Sequence, residues 1–164
     1  VMDNTIDIAS VGGMYAGKIT LVANDTDAGI KNFGNINASG SGITLASDGK
    51  LAQHGKLAAQ KGSISITAGG DIYNSQQILA GTDLQLQTEG KLLSTGTIGS
   101  ETGIITLSAA KDFTQTGSVR LEKGALNINV GSDLYQYGNI SVQQGRTSLL
   151  VQGNSGQYLS LIHI

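Results

Sequence analysis

Three columns of apolar residues recur along this chain with a single period. One falls on Ile30, Leu51, Ile72, Leu92, Phe113 and Leu134, in steps of 21, 21, 20, 21 and 21. A second falls on Ile36, Leu57, Ile78, Ile98, Val119 and Ile140 with the same steps. The third falls on Leu45, Ile66, Leu86, Leu107, Ile128 and Leu149, in steps of 21, 20, 21, 21 and 21. Columns that share a period and the same one-residue deletion specify a repeat architecture. In such a chain no unit buries its apolar face alone, and a core forms only by stacking unit on unit.

Gly62 to Ala80 shows the unit. Ile64 and Ile66, then Ile72, then Ile78 and Ala80 form three beats separated by Gly and polar residues. Apolar and polar residues alternate within a beat, so Ile64 and Ile66 face one way while Ser63, Ser65 and Thr67 face the other. The three- and four-residue spacing of an amphipathic helix is missing. Strands this short are not stable as isolated pairs, but each can pair in parallel with its equivalent one unit away. The expected fold is all-β: a right-handed parallel β-helix, a solenoid of about 21 residues and three short strands per coil. At about 4.8 Å per coil, six to seven coils give a prism roughly 30 Å long.

Further columns fill in the coil. Ala38, Ala59, Ala80, Ser100, Leu121 and Val142 place small to medium side chains at one corner. Asn32, Gln53, Asn74, Ser94, Gln115 and Gln136 form a polar column two residues after the second beat, the column that runs from Ile30 to Leu134. Amides stacked at strand spacing can bond along the stack, which predicts a hydrogen-bonded ladder at an inward-facing turn. Gly34, Gly55, Gly96, Gly117 and Gly138, with Gln76 the exception, predict a tight corner with positive φ.

Composition removes several function classes. A net charge of −2 with only 10 basic residues offers no stripe for nucleic acid. No Cys is present, so a disulfide frame and a thiolate metal site are both excluded. No apolar run reaches the length of a membrane-spanning helix.

Near the start, Gly12-Gly13-Met14-Tyr15-Ala16-Gly17-Lys18-Ile19, a loop, and then Gly29-Ile30-Lys31-Asn32-Phe33-Gly34 resemble the segment closing the amino-terminal secretion domain of filamentous-haemagglutinin-like exoproteins. The likeness continues through the repeats to about Asn154. Residues 24–29 lengthen the first coil, putting 24 residues between Leu21 and Leu45. The resemblance implies a division into residues 1–41, the end of a secretion-domain-like region with an irregular coil, and 42–158, the haemagglutinin-type repeats. It implies a structural shaft segment of an adhesin or contact-dependent growth-inhibition protein, secreted to or displayed on the surface of a Gram-negative bacterium. The implied partners are an outer-membrane two-partner-secretion transporter during export and, through distal regions, a host or neighbouring-bacterium surface. Residues 159–164 read like translated sequencing adapter, and the opening at Val1 reads like an internal start. A stack cut at both ends is expected to associate end to end.

Candidate chemistry is thin. His54 is the one His before residue 159; it shares a turn column with Phe33, Ser75, Thr95, Thr116 and Tyr137. No nucleophile or orienting carboxylate is spaced to join it in a triad. Asp71, Asp112 and Asp133 share a column with Lys50 and Lys91, which reads as a solvated, charge-balanced edge. Gly69-Gly70-Asp71 lacks the nine-residue recurrence of calcium-binding repeats. Tyr73 and Tyr135 share an outward column, with Tyr137 nearby. Ser65, Gln85, Thr106 and Asn127 are too mixed for an ice-binding array. The expectation is therefore no enzyme, no catalytic, metal or cofactor-binding residue, and no cofactor. The alternative is a carbohydrate-active β-helix enzyme, which needs two carboxylates facing one cleft.

Overall fold

The computed structural model describes residues 6–8, 13–27, 29–154 and 162–163. It is a parallel β-solenoid of about seven coils. The first coil contributes β1 (Ile6–Ile8) and β2 (Gly13–Ala23), and the next β3 (Ile30–Asn32) and β4 (Asn35–Ser47). Then follow β5 (Leu51–Gln53), β6 (Lys56–Ala59), β7 (Ser63–Ala68), β8 (Ile72–Asn74), β9 (Gln77–Ala80) and β10 (Leu84–Thr88). The last coils hold β11 (Leu92–Ser94), β12 (Thr97–Ala109), β13 (Phe113–Gln115), β14 (Ser118–Val130), β15 (Leu134–Gln136), β16 (Asn139–Val151) and β17 (Ile162–His163).

The three-residue strands β1, β3, β5, β8, β11, β13 and β15 stack in that order as one parallel sheet. The remaining strands form a second sheet that folds around the other two sides of the coil. The coil has three faces, but in four coils two of them are spanned by one bent 13-residue strand: β4, β12, β14 or β16. The expected three separate strands survive only where β6 and β7, or β9 and β10, are distinct.

Register follows the columns. Leu84 pairs with Ile64 on one side and Ile105 on the other, and Leu92 with Ile72 and Phe113. The inward columns are buried along the stack from Ile30 to Ile140 as one continuous core. Leu149 is the exception, 41% exposed, because it lies on the last described full coil. The first coil is longer as expected: Ile6 pairs with Ile30 and Leu21 with Leu45, 24 residues away in both cases. The register also shifts between Ala16 and Lys18. Strand β17 pairs with Ile140 and Ser141. The rest of 155–164, together with residues 1–5, 9–12 and 28, lies outside the described residues.

The glycine expectation is corrected. Positive φ occurs not in the Gly55, Gly96, Gly117 and Gly138 column but at Gly42, Gly103, Gly124 and Gly145, with φ from 121 to 151°. Those four sit at the bends of the long strands, where they let the chain turn while the ladder continues. The other column needs Gly for lack of space. A Cβ on Gly117 would run into the Gly96 carbonyl, and one on Gly138 into that of Gly117.

Candidate functional site

The polar column is buried throughout, at the ends of the three-residue strands rather than in turns. It is a broken ladder. Asn32 Nδ2 donates to Gln53 Oε1 at 2.6 Å, and Asn74 Nδ2 to Ser94 Oγ at 3.2 Å. Between these links the amides turn to the backbone two residues on: Gln53 Nε2 donates to the Gly55 carbonyl at 2.5 Å and Gln136 Nε2 to that of Gly138 at 2.9 Å. Neither amide atom of Gln115 has a hydrogen-bond partner. The column is structural, closing the corner from inside.

The Asp column does more than balance charge. Asp71 Oδ1 accepts the Lys91 N–H at 2.8 Å, Asp112 Oδ1 that of Asp133 at 3.0 Å, and Asp133 Oδ1 that of Asn154 at 2.9 Å. Each carboxylate thus caps a backbone donor one coil further on. Asp83 does the same for Ile104 at 2.8 Å in another turn. Such charge-assisted bonds are among the stronger ones. They hold the turns.

His54 is half-buried at the end of β5. Its ring stacks on Phe33 with centroids 4.9 Å apart, and Tyr73 meets it edge-on at 5.0 Å. Its Nδ1 lies 2.8 Å from Ser75 Oγ. Three aromatic rings from three successive coils make a packed corner, and among the described residues no carboxylate orients the imidazole. Tyr135 points outward, and its hydroxyl donates to Asp133 Oδ2 at 3.3 Å. The charge of Asp133, and then that hydrogen bond, raise the Tyr135 phenol above its ordinary value of 10.0. Among the described residues, no group of three His, Cys, Asp or Glu could hold a metal ion.

The sequence reading missed one depression. Tyr15, Asn37, Ala58, Leu79, Gly99, Arg120 and Ser141 stack as an outward column. Gly99 has no side chain there, which opens a hollow of about 700 Å³ rimmed by Gln60, Lys61, Glu101, Arg120 and Glu122. Glu101 and Glu122 are exposed, and their side chains form no hydrogen bond or ion pair within the described residues. Two carboxylates do share a rim, but it is open to water. Glu101 and Glu122 lie one repeat apart, which was the available signal. The hollow itself depends on the sizes of Leu79 and Arg120 across coils.

Parallel coils, a continuous apolar interior and acids engaged in turns describe a rod. Sequence comparison agrees. Over 65 residues, 39% of this chain, it is 40% identical to Toxin CdiA of Yersinia pestis. Over 63 residues it is 41% identical to a 16S rRNA endonuclease CdiA of Enterobacter cloacae. Over 65 residues it is 37% identical to the filamentous hemagglutinin of Bordetella pertussis. Over these stretches the chain is similar to filamentous-haemagglutinin-like and CdiA proteins. It spans about 2% of the length of each of these relatives. No family model matches it, and no solved structure matches it significantly. The haemagglutinin-like stretch and the solenoid agree with a shaft segment of an adhesin or CdiA-type protein.

Proposed function

We propose that this segment is a passive shaft that holds a distal adhesive or toxic module away from the producing cell. The observation that carries this is the unbroken register from Ile30 to Ile140, in which each coil adds one step of rod and no coil is interrupted by a cleft into the core. In this reading the chain leaves a Gram-negative cell through an outer-membrane two-partner-secretion transporter and is secreted or surface-displayed. It carries no catalysis and no cofactor of its own. Coils fold one upon another as they emerge, because nearly all their contacts are with adjacent coils. Folding outside then opposes back-sliding.

The test replaces this segment, within its exoprotein, by the same number of coils from an unrelated β-solenoid. Delivery by the distal module is expected to persist. Export without delivery would overturn the passive-shaft reading. Placing Asp at Ile66 or Leu107, both fully buried, is expected to slow or truncate export. Unchanged export of those unfolded variants would refute the folding-outside step.

A further inference from the structure

Among the described residues no element covers the outer face of the three-residue-strand sheet, and its charges are arranged antisymmetrically. The edge at the strand starts carries, from β5 to β15, Lys50, Asp71, Lys91, Asp112 and Asp133. The centre of the face carries Lys31, Ala52, Tyr73, Leu93, Thr114 and Tyr135. The far edge carries Phe33, His54, Ser75, Thr95, Thr116 and Tyr137, with Phe33 and Tyr137 each 49% exposed. Within one chain no ion pair engages Lys31, Lys50, Lys91 or Lys111 among the described residues.

We propose that this face binds a second copy of the chain, with the two solenoids side by side and antiparallel about a two-fold axis lying along the strands between β8 and β11. The inference is independent of the shaft reading. Such an axis keeps strand direction and reverses the order of coils, so each charged edge meets the other copy's charged edge upside down. Lys50 then faces the second copy's Asp112, and Asp71 faces its Lys91. In the turns just outside, Asp48 approaches its Lys111. At the centre Tyr73 meets Leu93, Ala52 meets Thr114, and Lys31 meets Tyr135 beside Asp133. A two-fold contact uses the same patch on both copies, so each pair occurs twice.

The neighbouring registers fail on charge, and a slide by two coils keeps only the Lys50–Asp71 pairs over a shorter overlap. Sliding by one coil in one direction puts Asp71 against Asp71 and Lys50 against Lys91. Sliding in the other puts Lys91 against Lys91 and Asp71 against Asp112, which offset its Lys50–Asp133 pairs. A parallel pairing sets the charged edge against Phe33, His54, Ser75, Thr95, Thr116 and Tyr137, which supply no carboxylate. The face is about five residues wide and six coils long, roughly 500 Å² per copy. That is about the smallest area from which a specific interface is built. The dimer is therefore weak, concentration-dependent and steered by charge.

Sedimentation velocity on the 164-residue chain over a concentration series reads the association. A dimer is expected at low salt, with Kd weakening about tenfold or more at high salt. Zero-length carbodiimide coupling is expected to join Lys50 to Asp112. Those residues lie three coils apart in one chain, about 14 Å along the stack, so that bond can form only between copies. Lys50→Glu should abolish the dimer and Lys50→Glu with Asp112→Lys should restore it, with circular dichroism confirming the fold. A monomer at every concentration would overturn the proposal, as would a dimer whose cross-links join only β2 to β16, end to end. The coupling experiment needs no variant and decides the matter even if the double substitution fails to fold.

Discussion

Two glutamines in the same buried column should respond oppositely to the same substitution. Gln115 is fully buried, and neither its Oε1 nor its Nε2 has a hydrogen-bond partner. Burying an unpaired amide costs about 1–3 kcal/mol. Leu has a similar volume and no polar atom, so Gln115→Leu is expected to stabilise the chain by about that amount. Gln53 is equally buried, but it accepts from Asn32 Nδ2 at 2.6 Å and donates to the carbonyls of Gly55 at 2.5 Å and Gln77 at 3.1 Å. Gln53→Leu removes these bonds, worth about 1 kcal/mol each, and orphans the Asn32 amide at about 1–3 kcal/mol more. Apolar burial offsets part of this, leaving a net loss of about 2–3 kcal/mol. Urea unfolding followed by far-ultraviolet circular dichroism measures both. With a slope of about 1–3 kcal/mol per molar, each midpoint should move by about 1 M, up for Gln115→Leu and down for Gln53→Leu. A lowered midpoint for Gln115→Leu, or an unchanged one for Gln53→Leu, would refute the pairing argument.

Three other outcomes are expected. Gly117→Ala should lower stability by about 3 kcal/mol or more, since its Cβ collides with backbone of the coil below. Gly17→Ala, with nothing within 4 Å of the new atom, should stay within about 0.5 kcal/mol in the same melt. Ile105→Ala, in the middle of the stack and fully buried, should cost about 2–5 kcal/mol, whereas Leu149→Ala on the exposed last coil should cost far less. Ultraviolet titration should show Tyr135 ionising above the ordinary phenol, and Asp133→Asn should bring it back down. A raised folded-state pKa favours the neutral phenol. Tyr135 thus contributes its stability below the unfolded value of 10.0 and loses it as pH rises through the folded one.

The inward columns were legible because strand alternation and the coil period fix which residues face the core, whatever the neighbours are. Ile66, Leu86 and Leu107 needed nothing else. The amide column was legible as a column, but its bonding was not. Asn reaches the next coil at Asn32, while Gln53 and Gln136 are long enough to fold back on the backbone, and a mixed column cannot run one ladder. Gly124 and Gly117 look alike in sequence. One turns a bend with positive φ; the other makes room for a carbonyl one coil away, and only the stack separates them. The bent strands were hidden for the same reason, since Gly103, Gly124 and Gly145 read as breaks. The Asp caps were missed because a carboxylate before a strand is equally at home in water. The hollow at Gly99 arises from side-chain sizes on three different coils, which no single repeat displays.

The alternation of bent and broken strands has a mechanical meaning. Strands β12 and β14 are zipped along 12 residue pairs across two faces. In the coils below, β7 and β10 share 5 pairs and β6 and β9 share 4, with a turn between them. Pulled along its axis, the rod would peel first between residues 56 and 88, where each face can let go by itself. The upper coils would hold until both faces yield together. A peeled coil of 21 residues changes from a step of about 4.8 Å to a tether of about 70 Å. Two yielding coils would let the rod lengthen severalfold under load while the zipped coils on either side stay folded.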